Sequence, residues 1–554
     1  MQEVDYVVIG SGSAGAVIAA RLSEDRDVSV LLLEAGPRDR NPILHLPAAA
    51  RYAFDARRFN WSYESEPEPH LGGRRIRHPR GRVLGGSSSI NGLVFLRGHP
   101  LDYEGWAEAG ATGWAYADVL PYFRKLETRV DRSNPYQGEG GPVQVSTAAR
   151  PNPISHAFIE ACRQAGYPFS EDVNGYRQDG SGWFPMNAAR GLRWSAARAY
   201  LYNACRRANL DVQCGSHVDR IEFDGRRAAT VVWRRGNRPR QIRVGREVVL
   251  SAGAFNSPKL LMLSGIGDGD ALKARGIPVV QDLPGVGENL MDHPLTAIQV
   301  ACRQPVSLAG ELSLAAKARG VLGWLVRRDG VLASNHFECG AFIRSEAGVR
   351  FPDLQLYLFP IGVAEGSSDF MRKHGFQVQI STQRSRSRGW VRLASSDPGD
   401  APRMQFNYLE TERDWIELRA GFRHAREILA QPAMRDLHGG ELSPGSSLTS
   451  DRDLDTFVRH HVVSSYHPCG TCRMGRDPMS VVDPECRVHG VEGLRVADAS
   501  IMPLITSCNL NCPTLMIGEK AADLIAGRQP LPPSDLPYFV EPRWSTRQRQ
   551  TAAE

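Results

Sequence analysis

The chain has 554 residues, of which 42% are hydrophobic and 23% charged, and its formal net charge is +6 at pH 7. This length allows roughly two to four domains with large cores, and the composition excludes a disordered chain, a collagen-like fibre and a coiled coil. So small a net charge does not favour nucleic acid as a partner.

The cysteines and the apolar segments bear on where the protein works. The ten cysteines show no disulfide framework, the N-terminus has no basic leader, and no stretch of about 18 uncharged apolar residues occurs. We therefore expect a cytoplasmic protein with reduced thiols. Peripheral attachment to the inner face of the cell membrane stays open.

A strand, a glycine-rich turn, a helix and a second strand are predicted at the start of the chain. The apolar run at residues 6–9 precedes Gly10-x-Gly12-x-x-Gly15, and a second apolar run at residues 28–33 ends at Glu34. The first glycine permits a tight turn, the second lets a pyrophosphate approach the backbone, and the third lets the helix pack on the strand. Glu34 is placed to accept the ribose hydroxyls. The pattern predicts a dinucleotide site but does not distinguish FAD from NAD.

The next elements indicate a hairpin and then a second domain. Residues 218–232 and 240–249 alternate like antiparallel strands around the turn Gly236-Asn237. The basic cluster of this hairpin is expected to be a solvated face; it consists of Arg234, Arg235, Arg238, Arg240, Arg243 and Arg246. Between about residues 300 and 455, helical stretches (314–325, 410–429) alternate with strands (354–358, 377–381), which predicts a second domain with its own sheet.

Three further segments resemble the glucose–methanol–choline (GMC) family of flavin oxidoreductases. They are residues 81–91 (GRVLGGSSSIN), residues 253–267 (GAFNSPKLLMLSGIG), and His467-Pro468-Cys469-Gly470-Thr471-Cys472 with the later 495–500 (RVADAS) and 509–511 (NLN). The resemblance covers about residues 4–530 and implies an α/β protein. A Rossmann-like FAD-binding domain would comprise residues 1–155, 200–300 and 465–530. A discontinuous α+β substrate domain on an antiparallel sheet would comprise 156–199 and 301–464, and 531–554 would be a C-terminal tail.

The resemblance also implies the cofactor and the residues that hold it. The expected FAD contacts are Gly10, Gly12, Ser13, Ala14, Gly15, Glu34, Ala35, Trp61, Val83, Gly86, Ser87, Asn91, Gly92, Val218, Asp498, Ala499, Asn509 and Pro513. Small residues such as Gly86 and Ser87 suit a backbone that lies against a cofactor. Some members attach FAD through a histidine at the position of Ile90, which has no nucleophile. We therefore expect non-covalent FAD.

The expected chemistry is the oxidation of a primary alcohol to an aldehyde. A base must remove the hydroxyl proton while the hydride moves to flavin N5, and a second group must hold the oxygen. The resemblance gives the first role to His467 and the second to Asn509. Cys469-x-x-Cys472 alone would suggest redox or zinc chemistry, but no second pair accompanies it, and we expect no metal.

Several stretches resemble the choline-oxidising branch of the family, which carries out the first step of glycine betaine formation. They are residues 60–69, 333–338, 480–483 and 537–540. A quaternary ammonium group needs aromatic faces and a carboxylate, for which Trp61, Phe337, Glu338 and Tyr466 are the candidates. Residues 307–325 carry no aromatic residue before Trp324, unlike that branch, which leaves another aromatic, aliphatic or diol alcohol as the alternative.

Two other classes of function remain at this point, and each makes a distinct prediction. An NAD-dependent dehydrogenase would carry no flavin, and a non-catalytic flavoprotein would not be bleached by any alcohol. For the alcohol-oxidising enzyme, the resemblance favours a quinone or carrier as electron acceptor, with oxygen also open. The oligomeric state is not predictable from the sequence.

Overall fold

The computed structural model describes residues 3–236, 238–363 and 369–549. The helices in these residues are α1 Ser13–Leu22, α2 Ala50–Asp55, α3 Pro100–Glu108, α4 Tyr116–Leu126, α5 Pro153–Gln164, α6 Tyr202–Ala204, α7 Gly253–Leu263, α8 Gly269–Lys273, α9 Leu314–Arg327, α10 Glu412–Leu429, α11 Asp451–His461 and α12 Asn511–Ile525. None of them is long and apolar enough to cross a membrane.

Two large sheets organise the described residues. Their strands are β1 Glu3–Ile9, β2 Val30–Glu34, β3 Gly180–Trp183, β4 Leu210–Cys214, β5 Ser216–Asp224, β6 Arg227–Arg235, β7 Arg238–Leu250, β8 Pro294–Cys302, β9 Cys339–Ile343, β10 Leu354–Phe359, β11 Gly375–Thr382, β12 His438–Ser443, β13 Val463–Ser464 and β14 Leu494–Val496. Short strands pair two by two elsewhere: Tyr63–Glu64 with Arg77–His78, Glu127–Arg129 with Val143–Val145, Ala188–Ala189 with Leu192–Arg193, Ile266–Gly267 with Gln281–Asp282, and Trp390–Arg392 with Arg403–Gln405.

The first sheet has the strand order β4-β2-β1-β7-β6-β5, with β14 beside β7. Its centre is parallel: β1 lies between β2 and β7, and β4 and β14 run in the same direction. The predicted apolar runs form this centre and are buried on both faces, as helix-covered parallel strands are. Because parallel strands end at one edge, Gly10, Ser251 and Ala497 follow β1, β7 and β14 side by side.

The predicted hairpin contains one strand more than expected. The alternating stretch at 218–232 breaks at Gly225 (φ +60°), so that β5 and β6 form one hairpin and β6 and β7 form the next. The second turn contains Gly236 (φ +62°), and Asn237 lies outside the described residues. Arg235, Arg238 and Arg240 are exposed, as a solvated face requires.

The second sheet is antiparallel, in the order β12-β8-β11-β10-β9-β3 with β13 beside β8. α10 packs against β11, and α5 packs against β3 and β9, which covers one face with a separate apolar core. The α/β class with an antiparallel second sheet is thus confirmed. The domain limits stay predictions, although β8 carries residues 294–300, expected in the first domain, into the second sheet.

Candidate active site

A cavity of about 680 Å³ is lined by both sheets. Its wall includes Gly10 after β1, Ser251 after β7 and Asp498 shortly after β14. From the antiparallel sheet it includes Gln299, Gln377 and Gln379, which lie on β8 and β11. This volume lies in the usual range for ligand and cofactor sites. The edge of a parallel sheet is where such sites form in α/β proteins.

The glycines of the first turn allow three backbone segments to touch. A Cβ on Gly10 (φ +96°) would lie 2.5 Å from the carbonyl oxygen of Ser251, and one on Gly15 would lie 1.9 Å from that of Gly10. Gly86 (φ +54°) approaches the same turn, since its Cβ would lie 2.7 Å from the Cα of Gly12. The backbone N–H groups at the start of α1 are therefore free of covering side chains.

Two buried carboxylates hold these turns in shape. Glu34 accepts hydrogen bonds from the N–H (3.1 Å) and Oγ (2.6 Å) of Ser11 and from the N–H of Gly36 (2.7 Å), and burial raises its pKa. Asp498 accepts from the N–H of Gly253 (2.8 Å) and the Oγ of Ser257 (2.6 Å). Both side chains also line the cavity.

The N-termini of α1 and α12 together form a candidate anion-binding site. Ser13 Oγ donates to Asn511 Oδ1 at 2.7 Å, so the two helices begin side by side on the cavity wall. The buried Nδ2 of Asn511 has no hydrogen-bond partner among the described residues. Two helix N-termini and an unpaired amide donor suit a diphosphate, so the residues present fit the pyrophosphate of a dinucleotide cofactor.

The structure brings most of the expected cofactor residues to this cavity. Those on its wall are Gly10, Gly12, Ser13, Ala14, Glu34, Ala35, Trp61, Gly86, Ser87, Asn91, Gly92, Val218, Asp498, Ala499 and Asn509. Gly15, Val83 and Pro513 are not part of the wall. Gly15 packs against Gly10, Val83 lies in a small apolar cluster, and Pro513 is buried within α12, so these three support the wall from behind.

His467 and His293 form a hydrogen-bonded pair whose partners assign the ring protons. His293 Nε2 lies 3.1 Å from the carbonyl oxygen of Gln383, which can only accept, so this nitrogen carries the proton. His293 Nδ1 is then an acceptor, and His467 Nδ1–H donates to it across 3.0 Å. His467 Nε2 is left with its lone pair facing Asn509 Nδ2 at 3.2 Å. The nitrogen on the cavity side is therefore the basic one.

A tyrosine and a glutamine orient the amide of Asn509. Tyr357 Oη lies 3.2 Å from Asn509 Oδ1 and 2.8 Å from the carboxamide end of Gln355. The Tyr357 hydroxyl donates toward both amide oxygens. Its contact with Asn509 Oδ1 directs Asn509 Nδ2 to His467.

One buried carboxylate fixes the backbone of both histidines. Asp292 Oδ1 accepts the N–H groups of His293 and His467, each at 2.8 Å, and Oδ2 accepts the hydroxyls of Tyr408 and Ser464. Burial, together with His293 and the Arg80 charge, lowers the pKa of His467 well below its usual value. Burial lowers the pKa of His293 to about 3. Both rings are therefore neutral at neutral pH.

Tyr466, next to His467, has an unusual backbone. Its φ of +66° is rare for a bulky residue. The conformation is held by Arg80, which donates to the Tyr466 carbonyl at 2.6 Å, and by Ser464 Oγ, which accepts the Tyr466 N–H at 2.7 Å. Strain of this kind persists where neighbours fix a functional side chain.

Three of the four expected substrate residues lie on the cavity wall: Trp61, Phe337 and Tyr466. Glu338 is not part of this wall. Its carboxylate accepts hydrogen bonds from the N–H of Asn152 (2.7 Å) and the Oγ of Ser155 (2.8 Å) at the start of α5. Burial raises the pKa of this carboxyl, and the donors at the start of α5 offset part of that effect.

Sequence reasoning missed His293, Tyr357 and Arg193. Arg193 is buried behind the cavity wall, donates to Asn91 Oδ1 at 2.8 Å, and has its pKa lowered by burial to about 9. The only available signals were a histidine after Asp292, an aromatic residue in a predicted strand and an arginine outside any predicted element. Each of these patterns is common in structural positions.

Cys469 and Cys472 are both fully buried in the main apolar core. Burial raises the pKa of each thiol well above its usual value. These thiols are poor nucleophiles and poor metal ligands in that state.

Comparison with known proteins connects this geometry to a family. The profile of the GMC oxidoreductases matches residues 4–295 and 385–518. The oxygen-dependent choline dehydrogenase of Brucella canis is 48% identical over 549 residues, which span 99% of this chain and 100% of that protein. The enzyme of the same name from Chromohalobacter salexigens is 48% identical, with 97% of each chain covered.

Solved structures agree with the described fold. The crystal structure of pyridoxine 4-oxidase from Mesorbium loti is 32% identical, with a TM-score of 0.87 over 95% of this chain and 100% of that one. A formate oxidase is 27% identical, with a TM-score of 0.90 over 95% of this chain and 98% of that one.

Proposed function

This chain belongs to the GMC oxidoreductase family, and we propose that it oxidises a primary alcohol to the aldehyde with FAD, choline being the substrate and betaine aldehyde the product. The observation that carries the proposal is the pair of polar atoms His467 Nε2 and Asn509 Nδ2. They lie 3.2 Å apart on the wall of a cavity that continues to the glycine turn of a dinucleotide fold.

His467 is the base in this proposal, and Asn509 holds the substrate oxygen. The alcohol hydroxyl takes the place of Asn509 as the donor to His467 Nε2 and gives up its proton there. Asn509 Nδ2 then donates to the oxygen as negative charge develops on it. His293 accepts from His467 Nδ1–H before and after the transfer, so the ring keeps its orientation. Bound FAD supplies the acceptor for the hydride.

FAD is held without a covalent bond. Ile90 lies on the cavity wall and is almost fully buried, and it offers no nucleophile to the cofactor. Acid precipitation should leave the flavin in the supernatant. Flavin that stays on the precipitated polypeptide contradicts this part of the proposal.

Choline is supported by relatives and by aromatic side chains. The full-length relatives at 48% identity bear the name choline dehydrogenase. Phe337 and Tyr466 offer aromatic rings on the cavity wall. The ring centre of Phe337 lies 4.8 Å from that of Phe359, and the ring centre of Tyr466 lies 5.5 Å from that of Phe54. Such faces attract a quaternary ammonium group that cannot donate a hydrogen bond.

A second candidate substrate is an uncharged primary alcohol. It is favoured by the position of the cavity's carboxylates, which lie away from the antiparallel sheet. Among the described lining residues, the carboxylates are Glu34 and Asp498, and both hold backbone turns at the carboxyl edge of the first sheet. The described wall of the antiparallel sheet contributes amides instead, such as Gln377 and Gln379. A cation here would depend on aromatic faces alone.

Anaerobic reduction of the flavin tests both candidates. We expect choline to bleach the visible flavin absorbance faster than its uncharged isostere 3,3-dimethylbutan-1-ol and faster than benzyl alcohol. If the isostere is equally fast, the charge is not recognised and the second candidate holds. If no alcohol bleaches the flavin, or the purified protein is colourless, both fail.

The electron acceptor is tested in the same cuvette. The curated relatives are named oxygen-dependent, whereas the family resemblance favours a quinone or carrier. Admitting oxygen to the reduced enzyme should restore the absorbance within the turnover time if oxygen is the acceptor. Recovery only on addition of a quinone assigns the other class.

A further inference from the structure

Helix α9 exposes an aliphatic face to solvent. Leu314 is 86% exposed, Val326 72% and Leu322 64%, and Val321 and Leu325 are also exposed. Their spacing of seven, one, three and one residues places all five on one side of the helix. Leucines and valines grouped in this way are uncommon on the surface of a monomer and mark an interaction site.

The opposite side of α9 is fixed to the protein, so the direction of the aliphatic face is determined. Trp324 Nε1–H donates to the carbonyl oxygen of Gly191 at 2.6 Å, which joins the helix to the loop after β3. Ala316 is the buried residue of the helix. Rotating α9 to hide its leucines would break the bond to Gly191 and expose Ala316.

Basic residues flank this face, and acidic residues are absent from it. Lys317 and Arg319 are exposed at the two edges of the face, and Arg327 and Arg328 are exposed at the end of the helix. Residues 312–328 contain no Asp or Glu. Arg327 also pairs with Asp329 at 3.2 Å, just beyond the helix. An aliphatic stripe bordered by cations is the pattern of a helix that lies in the interface of an anionic bilayer.

We propose that α9 docks this protein on anionic phospholipid membranes, with Leu314, Val321, Leu322, Leu325 and Val326 entering the acyl boundary. Lys317 and Arg319 contact the lipid phosphates. Burial of the aliphatic side chains and attraction to the anionic surface both favour this orientation. A second copy of the chain is a poorer occupant, because a twofold contact of α9 with α9 brings two sets of the same cations together.

Vesicle sedimentation of the full-length holoenzyme tests the proposal. Vesicles of phosphatidylglycerol with phosphatidylcholine should sediment the wild type, and vesicles of phosphatidylcholine alone should do so much less. The double variant Leu322→Glu/Leu325→Glu should bind the anionic vesicles at least roughly tenfold more weakly. Each change removes an aliphatic side chain that enters the bilayer and adds a carboxylate that the anionic lipids repel. Its flavin spectrum and alcohol turnover should match the wild type.

Two further variants separate this mechanism from plain charge attraction and from misfolding. Arg235→Gln/Arg238→Gln/Arg240→Gln removes three exposed cations from the β6–β7 hairpin and should leave sedimentation nearly unchanged. Leu322→Trp keeps the face apolar and should bind at least as tightly as the wild type. The proposal is overturned if the wild type ignores anionic vesicles, if the glutamate variant sediments normally, or if the hairpin variant loses binding equally. It is also overturned if gel filtration shows a wild-type dimer that the glutamate variant dissociates.

Discussion

At the scale of single residues, the candidate active site contains a chain of hydrogen bonds with one consistent direction. It starts at the carbonyl oxygen of Gln383, which can only accept, and passes through His293 and His467 to Asn509 and Tyr357. Reversing any member would set two donors or two acceptors against each other. Asn509 is the member whose place a substrate hydroxyl can take beside His467 Nε2.

Replacing His467 should abolish most turnover without removing the cofactor. His467→Ala should lower turnover by roughly 10²–10⁴-fold, the usual contribution of a general base. The flavin content should stay near that of the wild type, because the glycine turn and the helix N-termini are untouched. Steady-state kinetics and the absorbance ratio of flavin to protein measure both. His156→Ala, at an exposed histidine, is the control, and near-normal turnover of His467→Ala would exclude this residue as the base.

The pH profile should show an unusually low acid limb. A base works in its neutral form, so kcat/KM falls as the pH drops through the pKa of His467. Burial, His293 and Arg80 all lower that pKa. Activity should therefore persist well below about pH 6.5, the ordinary pKa of histidine. Circular dichroism at each pH separates titration from unfolding. An acid limb at or above about pH 6.5 would contradict the described environment.

The role of Tyr357 can be tested through Asn509. Tyr357→Phe should lower kcat/KM by up to roughly tenfold, since a neutral hydrogen bond is worth about 1 kcal/mol. In an Asn509→Ala background the same change should cost almost nothing, because there is no amide left to orient. Tyr136→Phe, whose hydroxyl bonds to the distant Pro537 carbonyl, is the matched control. If Tyr357→Phe lowers kcat/KM by the same factor in the Asn509→Ala background as in the wild type, Tyr357 does not act through Asn509.

At the scale of elements, the strand–turn–helix unit at the start of the chain is predictable because its causes are local. The spacing of Gly10, Gly12 and Gly15 and the two flanking apolar runs determine β1, α1 and β2, and the family motifs around His467 and Asn509 extend the site. His293 and His467 are 174 residues apart, and Asp292 joins their backbones through a fold-level contact. No sequence pattern encodes that contact. The hydrogen bonds of Glu338 are unpredictable for the same reason, since its partners at α5 precede it by more than 180 residues.

The contact between the two glycine segments should be essential for cofactor binding. In Gly86→Ala, the new Cβ would press on the Cα of Gly12 at 2.7 Å and would also occupy a backbone with φ +54°. The segments must separate, so the flavin content of the purified variant should fall by roughly tenfold, about 1.4 kcal/mol in binding. Gly73→Ala is the control: it has φ +77° but open space around the Cβ. Equal flavin loss in both variants would mean that backbone strain, and not the close approach, is responsible.

At the scale of the whole molecule, the cavity connects two cores. The parallel sheet and its helices form one apolar cluster, and the antiparallel sheet with α5 and α10 forms another. The cavity wall draws residues from both sheets. A ligand that fills the cavity therefore contacts groups whose positions depend on both cores, and it should stabilise them together.

Removing FAD should consequently lower the thermal midpoint of the entire protein. A ligand that binds only the folded chain adds about 4 kcal/mol of stability at a free concentration near 1,000 times its Kd. Apoprotein prepared by mild acid–salt extraction should gain several degrees in Tm as FAD is added, in a concentration-dependent manner. NAD at the same concentrations is the control, because it shares the adenosine diphosphate moiety but lacks isoalloxazine. An equal Tm shift with NAD would mean that the cavity binds dinucleotides without selecting the flavin. A Tm that does not change with FAD would mean that filling the cavity does not stabilise the fold.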